Sequence, residues 1–254
     1  MSHPSAGAGS TWLRRYRPVA SPRLRLVCLP HAGGAPSFFR PWASLAPPDV
    51  EVVAVCYPGR QDRLAEPCLE TMAELVDQLE AALLPLAGDP IALFGHSMGS
   101  AVAYETTLRL ERIHGVQPVA LFVSGRAAPH RARPTGLHLR DEETLLRGAA
   151  ELGGLDPVVL EEPALRELVL PALRSDFRLI ESYIPDATAQ VRAPIAAYHG
   201  VQDSRSTVDE VREWAALTER DFDLRLFPGG HFYLVDAETQ LVDDICRRLR
   251  AASV

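Results

Sequence analysis

The chain contains no lysine; all 26 of its basic side chains are arginines. A lysine nucleophile or Schiff base is therefore excluded. Positive charge is also in short supply: 26 basic against 33 acidic residues leave a net charge of −7, which argues against a nucleic-acid binder. Cysteine is scarce, and Cys28, Cys56, Cys68 and Cys246 show no C-x-x-C spacing. Neither a structural metal nor a disulfide framework is expected from them. The chain starts without an apolar segment of signal-peptide length, and no run is long enough to span a bilayer, so a soluble cytoplasmic protein is expected.

What is present is 47% hydrophobic residues in 254, enough for a substantial core in one large α/β domain or two small ones. Residues 1–22, rich in Ser, Pro, Gly and Ala, read as a loose arm from which only Trp12 and Tyr16 could dock. From residue 24 onward, strand-like and helix-like segments alternate. Strands are expected at 24–29, 51–57, 91–94 and 119–123, with helical patterns at 38–45, 69–86 and from the serine turn to about 112. Such alternation predicts a mostly parallel sheet with helices on both faces. The rhythm breaks over about 126–190, which carries helical patterns at 141–152 and 163–184 without a strand and reads as a lid. It resumes with a strand at 195–198, a helix at 207–218, a strand at 222–227 and a closing helix at 237–251. One domain spanning 23–251 is expected.

The stretch Gly95-His96-Ser97-Met98-Gly99 stands between the apolar strand and a helix start. A G-x-S-x-G at that junction places the serine on a sharp elbow, and the helix behind it aims unpaired N–H groups at a developing anion. Serine is a poor nucleophile unless a histidine takes its proton and an acid orients the histidine. On this architecture the partners follow in the order Ser, Asp, His, at the ends of later strands. His231, in Pro228-Gly229-Gly230-His231-Phe232, and Asp203, just after the 195–198 strand, occupy those places, with Asp209 and Asp186 as competing carboxylates. The oxyanion donors would be the backbone N–H groups of Met98 and Ala32. His31 and His96 flank the proposed site, and both read as packing or loop-orienting residues.

Six motifs in register, Pro30-His31-Ala32-Gly33-Gly34, Tyr57-Pro58-Gly59-Arg60, the serine elbow, Val123-Ser124-Gly125-Arg126, Arg174-Ser175-Asp176-Phe177 and the His231 loop, resemble the type II thioesterases. Those are stand-alone α/β-hydrolases that accompany modular polyketide synthases and nonribosomal peptide synthetases. The resemblance implies an α/β-hydrolase fold and hydrolysis of stalled or wrong acyl groups from the phosphopantetheine thiol of a carrier protein. It also implies Ser97 as nucleophile, His231 as base and Asp203 as orienting acid, with no cofactor and no metal. One local frame departs: family members often carry Gly-Gly before the acid loop and Asp-Pro within it, where this chain reads His199-Gly200-Val201-Gln202-Asp203-Ser204.

Partners implied are acyl or peptidyl carrier domains, with no membrane or nucleic acid, and the enzyme is taken as a monomer. Leu145, Leu152, Leu155, Leu168, Leu173 and Phe177 could wall an acyl chamber or merely pack the lid. Arg126, Arg131, Arg133 and Arg140, with no acid between Gly125 and Asp141, form a basic stretch that could dock an acidic carrier. Other readings are an acyl-CoA thioesterase or carboxylesterase, a non-catalytic interaction protein and a macrocyclising release domain. The last is normally fused to a synthase, and this chain has no room for a carrier domain.

Overall fold

A computed structural model describes residues 11–251. Its strands are β1 (Leu13–Arg15), β2 (Leu24–Leu29), β3 (Val50–Val55), β4 (Ile91–His96), β5 (Leu121–Ser124), β6 (Ile195–Gly200) and β7 (Phe222–Phe227). They form one sheet in the order β1-β3-β2-β4-β5-β6-β7. Only β1 runs antiparallel, against β3; every other pairing is parallel. The helices are α1 (Trp42–Leu45), α2 (Met72–Leu83), α3 (Met98–His114), α4 (Glu142–Glu151), α5 (Val158–Glu161), α6 (Pro163–Ser182), α7 (Val208–Arg212), α8 (Tyr233–Asp236) and α9 (Glu238–Ala251).

The strands read as continuous apolar runs because both faces are covered. Side chains alternate across a strand, so Leu24, Leu26 and Cys28 join Val50, Val52 and Ala54 in one core with Trp42 and the apolar stripe of α9. Val27 and Leu29 join Val53 and Val55 in the other, with Leu75, Leu79 and Leu83 of α2 and the buried face of α3. All residues of β2, β3, β4 and β6 are buried, as expected of the interior of a parallel sheet. Local signals fix the helix ends: the Thr71 hydroxyl accepts the Glu74 N–H at the start of α2, and Gly115 stops α3 in the left-handed region at φ 65°.

The insertion between β5 and β6 carries α4, α5 and α6. It has a small core of its own, built on Leu145, Leu146, Ala149, Val159, Leu173 and Phe177, and Ala32 of the loop after β2 packs against it. Of the six positions considered for an acyl chamber, Leu145, Leu173 and Phe177 are therefore core residues of the insertion. Leu155 packs at its margin, and Leu168 is 46% exposed.

The reading of residues 1–22 as an arm is corrected for the part described; residues 1–10 lie outside it. Leu13–Arg15 pairs with β3, from Leu13 opposite Val55 to Arg15 opposite Val53. Trp12 is buried under the Arg63 guanidinium, its carbonyl accepts the Cys56 N–H at 2.7 Å, and Arg14 pairs with Asp62. A three-residue edge strand has too few side chains to show a period of two, so its composition spoke louder than its pattern. The helix expected at 207–218 is also shorter, ending at Arg212 and continuing as a 3₁₀ turn over Glu213–Leu217.

Candidate active site

Ser97 lies between β4 and α3 with φ 55° and ψ −116°, a strained conformation for a residue with a Cβ. The flanking glycines make the turn possible. A Cβ on Gly95 would come within 2.1 Å of the Gly99 carbonyl oxygen, and one on Gly99 within 2.1 Å of the Leu29 carbonyl oxygen at the end of β2. The elbow is further held by the Ser97 N–H, which donates to the Ser124 carbonyl at 2.8 Å.

Two loops converge on this hydroxyl. His231 Nε2 lies 3.0 Å from Ser97 Oγ, and His231 Nδ1 lies 2.8 Å from Asp203 Oδ2. With Nδ1–H donating to the carboxylate, Nε2 is free to accept the serine proton. The second carboxylate oxygen of Asp203 accepts the Arg205 N–H at 2.8 Å, so the acid is oriented from both sides. The two loops can touch only because Gly200 lacks a side chain: a Cβ there would sit 2.2 Å from the Gly230 carbonyl oxygen. The competing carboxylates are elsewhere, Asp209 on the surface with Arg212 and Asp186 capping Thr188. Met98 opens α3, and among the described residues neither its N–H nor that of Ala32 donates a hydrogen bond. The sequence-predicted residues Ser97, Asp203 and His231 are thus in contact, with Ala32 and Met98 in the loop and helix turn beside them.

Residues 24–251 match the thioesterase domain family. The chain belongs to that family. It is 44% identical to thioesterase PikA5 of Streptomyces venezuelae over 94% of this chain and 85% of that one. It is 32% identical to the gramicidin S biosynthesis protein GrsT of Aneurinibacillus migulanus over 94% of each. Among solved structures, the type II thioesterase BorB from the borrelidin biosynthetic cluster shares 40% identity at a TM-score of 0.89, over 96% of this chain and 100% of that one. The fold is that of the α/β-hydrolases, and the enzyme is a serine-hydrolase-type thioesterase grouped with the type II enzymes of polyketide and nonribosomal peptide biosynthesis.

The motifs without an obvious chemical role pack beneath the candidate site or tie the insertion to the body of this thioesterase. Ser124 Oγ lies 3.0 Å from His96 Nδ1 and 2.7 Å from the Tyr233 hydroxyl, a buried polar chain beneath the His231 ring, which is 5.0 Å from that of His96. Gly125 follows because a Cβ there would meet the His96 ring at 2.5 Å. In Arg174-Ser175-Asp176-Phe177, Arg174 donates to the His138 and Arg140 carbonyls, and Ser175 to the Leu69 carbonyl. Asp176 accepts from Arg60, and Phe177 fills the insertion core. His199, where the frame departs from the family's, puts its Nδ1 3.8 Å from Asp203 Oδ2, a second imidazole behind the acid.

The insertion lies over the site. The turn after α4 brings Gly154 against Phe232 and His31, where a Cβ would approach the Phe232 ring at 2.6 Å. An open groove lined by Thr71, Met72, Glu105, Arg109 and Tyr183 lies apart, and no triad residue borders it.

His31 is wedged edge-on between Phe38 and Phe232, and burial, with the neighbouring charges of His231 and Arg60 adding to it, lowers its pKa from 6.5 to about 3. His96, wholly buried, is lowered well below the ordinary value for the same first reason. Both are thus neutral side chains of the loop floor. Unfolding between pH 6.5 and about 3 takes up a proton at His31, so stability falls as pH drops through that window, by roughly 5 kcal/mol at the limit for this residue. Chemical denaturation of wild type and His31→Phe at pH 7 and pH 4 is expected to show a smaller loss on acidification in the variant. An equal loss in both would assign the acid sensitivity to other groups.

Proposed function

We propose that this thioesterase edits a polyketide or nonribosomal peptide assembly line, hydrolysing stalled or wrong acyl groups from the phosphopantetheine thiol of carrier proteins by a Ser97–His231–Asp203 acyl-enzyme mechanism. The observation that carries the reading is the hydrogen-bonded relay of 3.0 Å and 2.8 Å from serine to histidine to aspartate, set at the elbow of a chain that matches the thioesterase family over residues 24–251. The names of its relatives, from gramicidin S biosynthesis and the borrelidin cluster, support the assembly-line setting. The four free thiols agree with the reducing cytoplasm. Among the described residues no helix is long and apolar enough to cross a membrane.

In this mechanism His231 Nε2 takes the proton as Ser97 Oγ attacks the thioester carbonyl. The carbonyl oxygen becomes an oxyanion received by the Ala32 and Met98 N–H groups, with the positive end of α3 behind them. Collapse breaks the C–S bond, and the phosphopantetheine sulfur leaves with the proton from His231. Water, deprotonated by the same imidazole, then adds to the acyl-serine, and a second collapse frees the acid and restores Ser97. Asp203 keeps the ring in the required tautomer and offsets the imidazolium charge. The α4–α6 insertion acts as the lid over the acyl group.

The basic stretch contributes less free charge than its composition suggested. Arg126 is drawn inward, its pKa lowered by burial to about 10, while Arg131 pairs with Glu213 and Arg133 with Glu210. Those two remain exposed, and surface pairs of this kind are weak enough for an acidic carrier to displace. The deciding experiment compares acetyl- and propionyl-thioesters on a carrier protein and on CoA. Faster hydrolysis of the carrier-bound acyl group is expected, together with a loss of about tenfold in kcat/KM at low salt for Arg131→Glu/Arg133→Glu. Preference for CoA or simple esters would overturn the carrier assignment, and an unchanged double variant would remove the arginines from the docking surface.

A further inference from the structure

Two of the motifs, Tyr57-Pro58-Gly59-Arg60 and Arg174-Ser175-Asp176-Phe177, are far apart in sequence and take no part in the chemistry above, yet they meet in a buried ion pair. Arg60 Nη1 donates to Asp176 Oδ2 at 2.8 Å and Nη2 to Oδ1 at 2.9 Å, with side-chain exposures of 7% and 3%. Stability alone is a poor reason for such a pair, since well-packed apolar residues often serve as well or better. The bonds left over after the pair has formed are more telling. Asp176 Oδ2 also accepts the Gly33 N–H at 2.7 Å, and Arg60 Nη1 also donates to the Gly34 carbonyl at 3.0 Å. Both reach the loop that carries Ala32.

That loop is a tight turn. The Gly34 N–H donates to the His31 carbonyl at 2.9 Å, and Gly33 takes φ 74°, as the third position of a type II turn requires. Type II and type I turns differ by a flip of the central peptide, here Ala32–Gly33. A carboxylate on the Gly33 N–H holds one orientation, because the flipped peptide would aim the Ala32 carbonyl oxygen at a negative charge. The base of the loop is braced as well: the Tyr57 hydroxyl donates to the Pro30 carbonyl at 3.3 Å, and the Arg60 guanidinium lies over the Tyr57 ring at 5.1 Å.

We propose that Asp176, held by Arg60, is a positioning residue of the oxyanion hole: by fixing the central peptide of the 31–34 turn it keeps the turn closed, and the closing bond from the Gly34 N–H to the His31 carbonyl orients the His31–Ala32 peptide, which carries the Ala32 N–H. The inference rests on the Ser97 acyl-enzyme reading. It makes α6 part of the catalytic scaffold as well as part of the cover, since the same helix that roofs the site sets one of its two donors.

The test separates positioning from mere stability. Replacing both partners, Arg60→Met with Asp176→Leu, removes the grip on Gly33 while leaving no buried charge unpaired. The double variant is expected to keep a Tm near that of wild type, with kcat about 10- to 100-fold lower, KM within about threefold, and affinity for an alkyl boronic acid lowered in step with kcat. The boronic acid is the informative probe, because its adduct with the serine hydroxyl is tetrahedral and anionic and fills the hole. Asp176→Asn, nearly isosteric, is expected to show the same parallel loss of kcat and boronate affinity at about tenfold. Wild-type kcat and boronate affinity in either folded variant would overturn the proposal. A wild-type enzyme that boronic acids fail to inhibit, with Ser97→Ala still active, would overturn the acyl-enzyme reading itself, and this inference with it.

Discussion

Replacing Ser97 by alanine is expected to lower kcat on any acyl thioester by about 10⁴- to 10⁶-fold while leaving the fold intact, the range seen when a triad nucleophile is removed from a serine hydrolase. Oγ is the atom 3.0 Å from His231 Nε2, and among the described residues no other hydroxyl or thiol hydrogen-bonds to His231. His96 is engaged with Ser124 beneath the site, and the Ser124 hydroxyl is occupied in turn by Tyr233. Stability should barely change, because the backbone strain at φ 55° is already borne in the wild type and alanine adds none. His231→Ala is expected to fall by a comparable factor, and Asp203→Asn by about 10⁴-fold, because the amide no longer selects the tautomer in which Nε2 is free. Single-turnover hydrolysis of one acyl-carrier thioester, with thermal unfolding alongside, checks all three. Activity within tenfold of wild type in folded Ser97→Ala would remove the serine from the mechanism; additive losses across the three residues would mean that they do not work as a unit.

Much of this arrangement was legible before any coordinates. Strand positions 24–29 and 222–227 coincide with β2 and β7, because β2 is a buried run between Pro22 and Pro30 and β7 alternates apolar with polar residues over most of its length before Pro228. The candidate site was legible for a different reason: an elbow serine needs a base and an acid from later loops, and chain order left few residues of the right type. What sequence could not supply was the identity of the supports. Arg60 and Asp176 are separated by more than a hundred residues, and nothing in the local pattern of either says that a guanidinium and a carboxylate will share one buried site. As sequence motifs they carry no evident chemistry; the packing of α6 against the 30–34 loop gives them a role. The same limit explains β1, whose partner is β3 and whose own three residues carry no period. The basic stretch misled in the opposite direction. Its neutralising acids, Glu210 and Glu213, enter from the segment around α7, some eighty residues downstream.

Gly99→Ala is expected to damage both the stability and the turnover of the elbow. The new Cβ would stand 2.1 Å from the Leu29 carbonyl oxygen and 2.7 Å from that of Pro30, where contacts under 3.0 Å essentially never occur. Overpacking typically costs about 1–3 kcal/mol when side chains can move aside; here the neighbour is backbone at the end of β2, hydrogen-bonded into the middle of the sheet between β3 and β4. A loss of about 3 kcal/mol or more is expected, a large share of the roughly 5–15 kcal/mol that holds a domain folded. The functional loss should exceed what unfolding accounts for, because relief of the clash must part α3 from β2. Met98, the residue before Gly99, rides on the first, and Ala32, three residues beyond Leu29, rides on the second. Parting the two elements therefore widens the space between the two proposed oxyanion donors, and kcat is expected to fall by about 10²-fold or more even at temperatures where the variant is fully folded. Gly88→Ala is the matched control: a Cβ there meets nothing within 4 Å, so its stability should stay level or rise by about 0.4–1 kcal/mol through the unfolded chain alone. Thermal unfolding of both variants, with kcat measured well below each Tm, decides the matter. Wild-type turnover in folded Gly99→Ala would mean that the spacing between α3 and β2 does not set the hole.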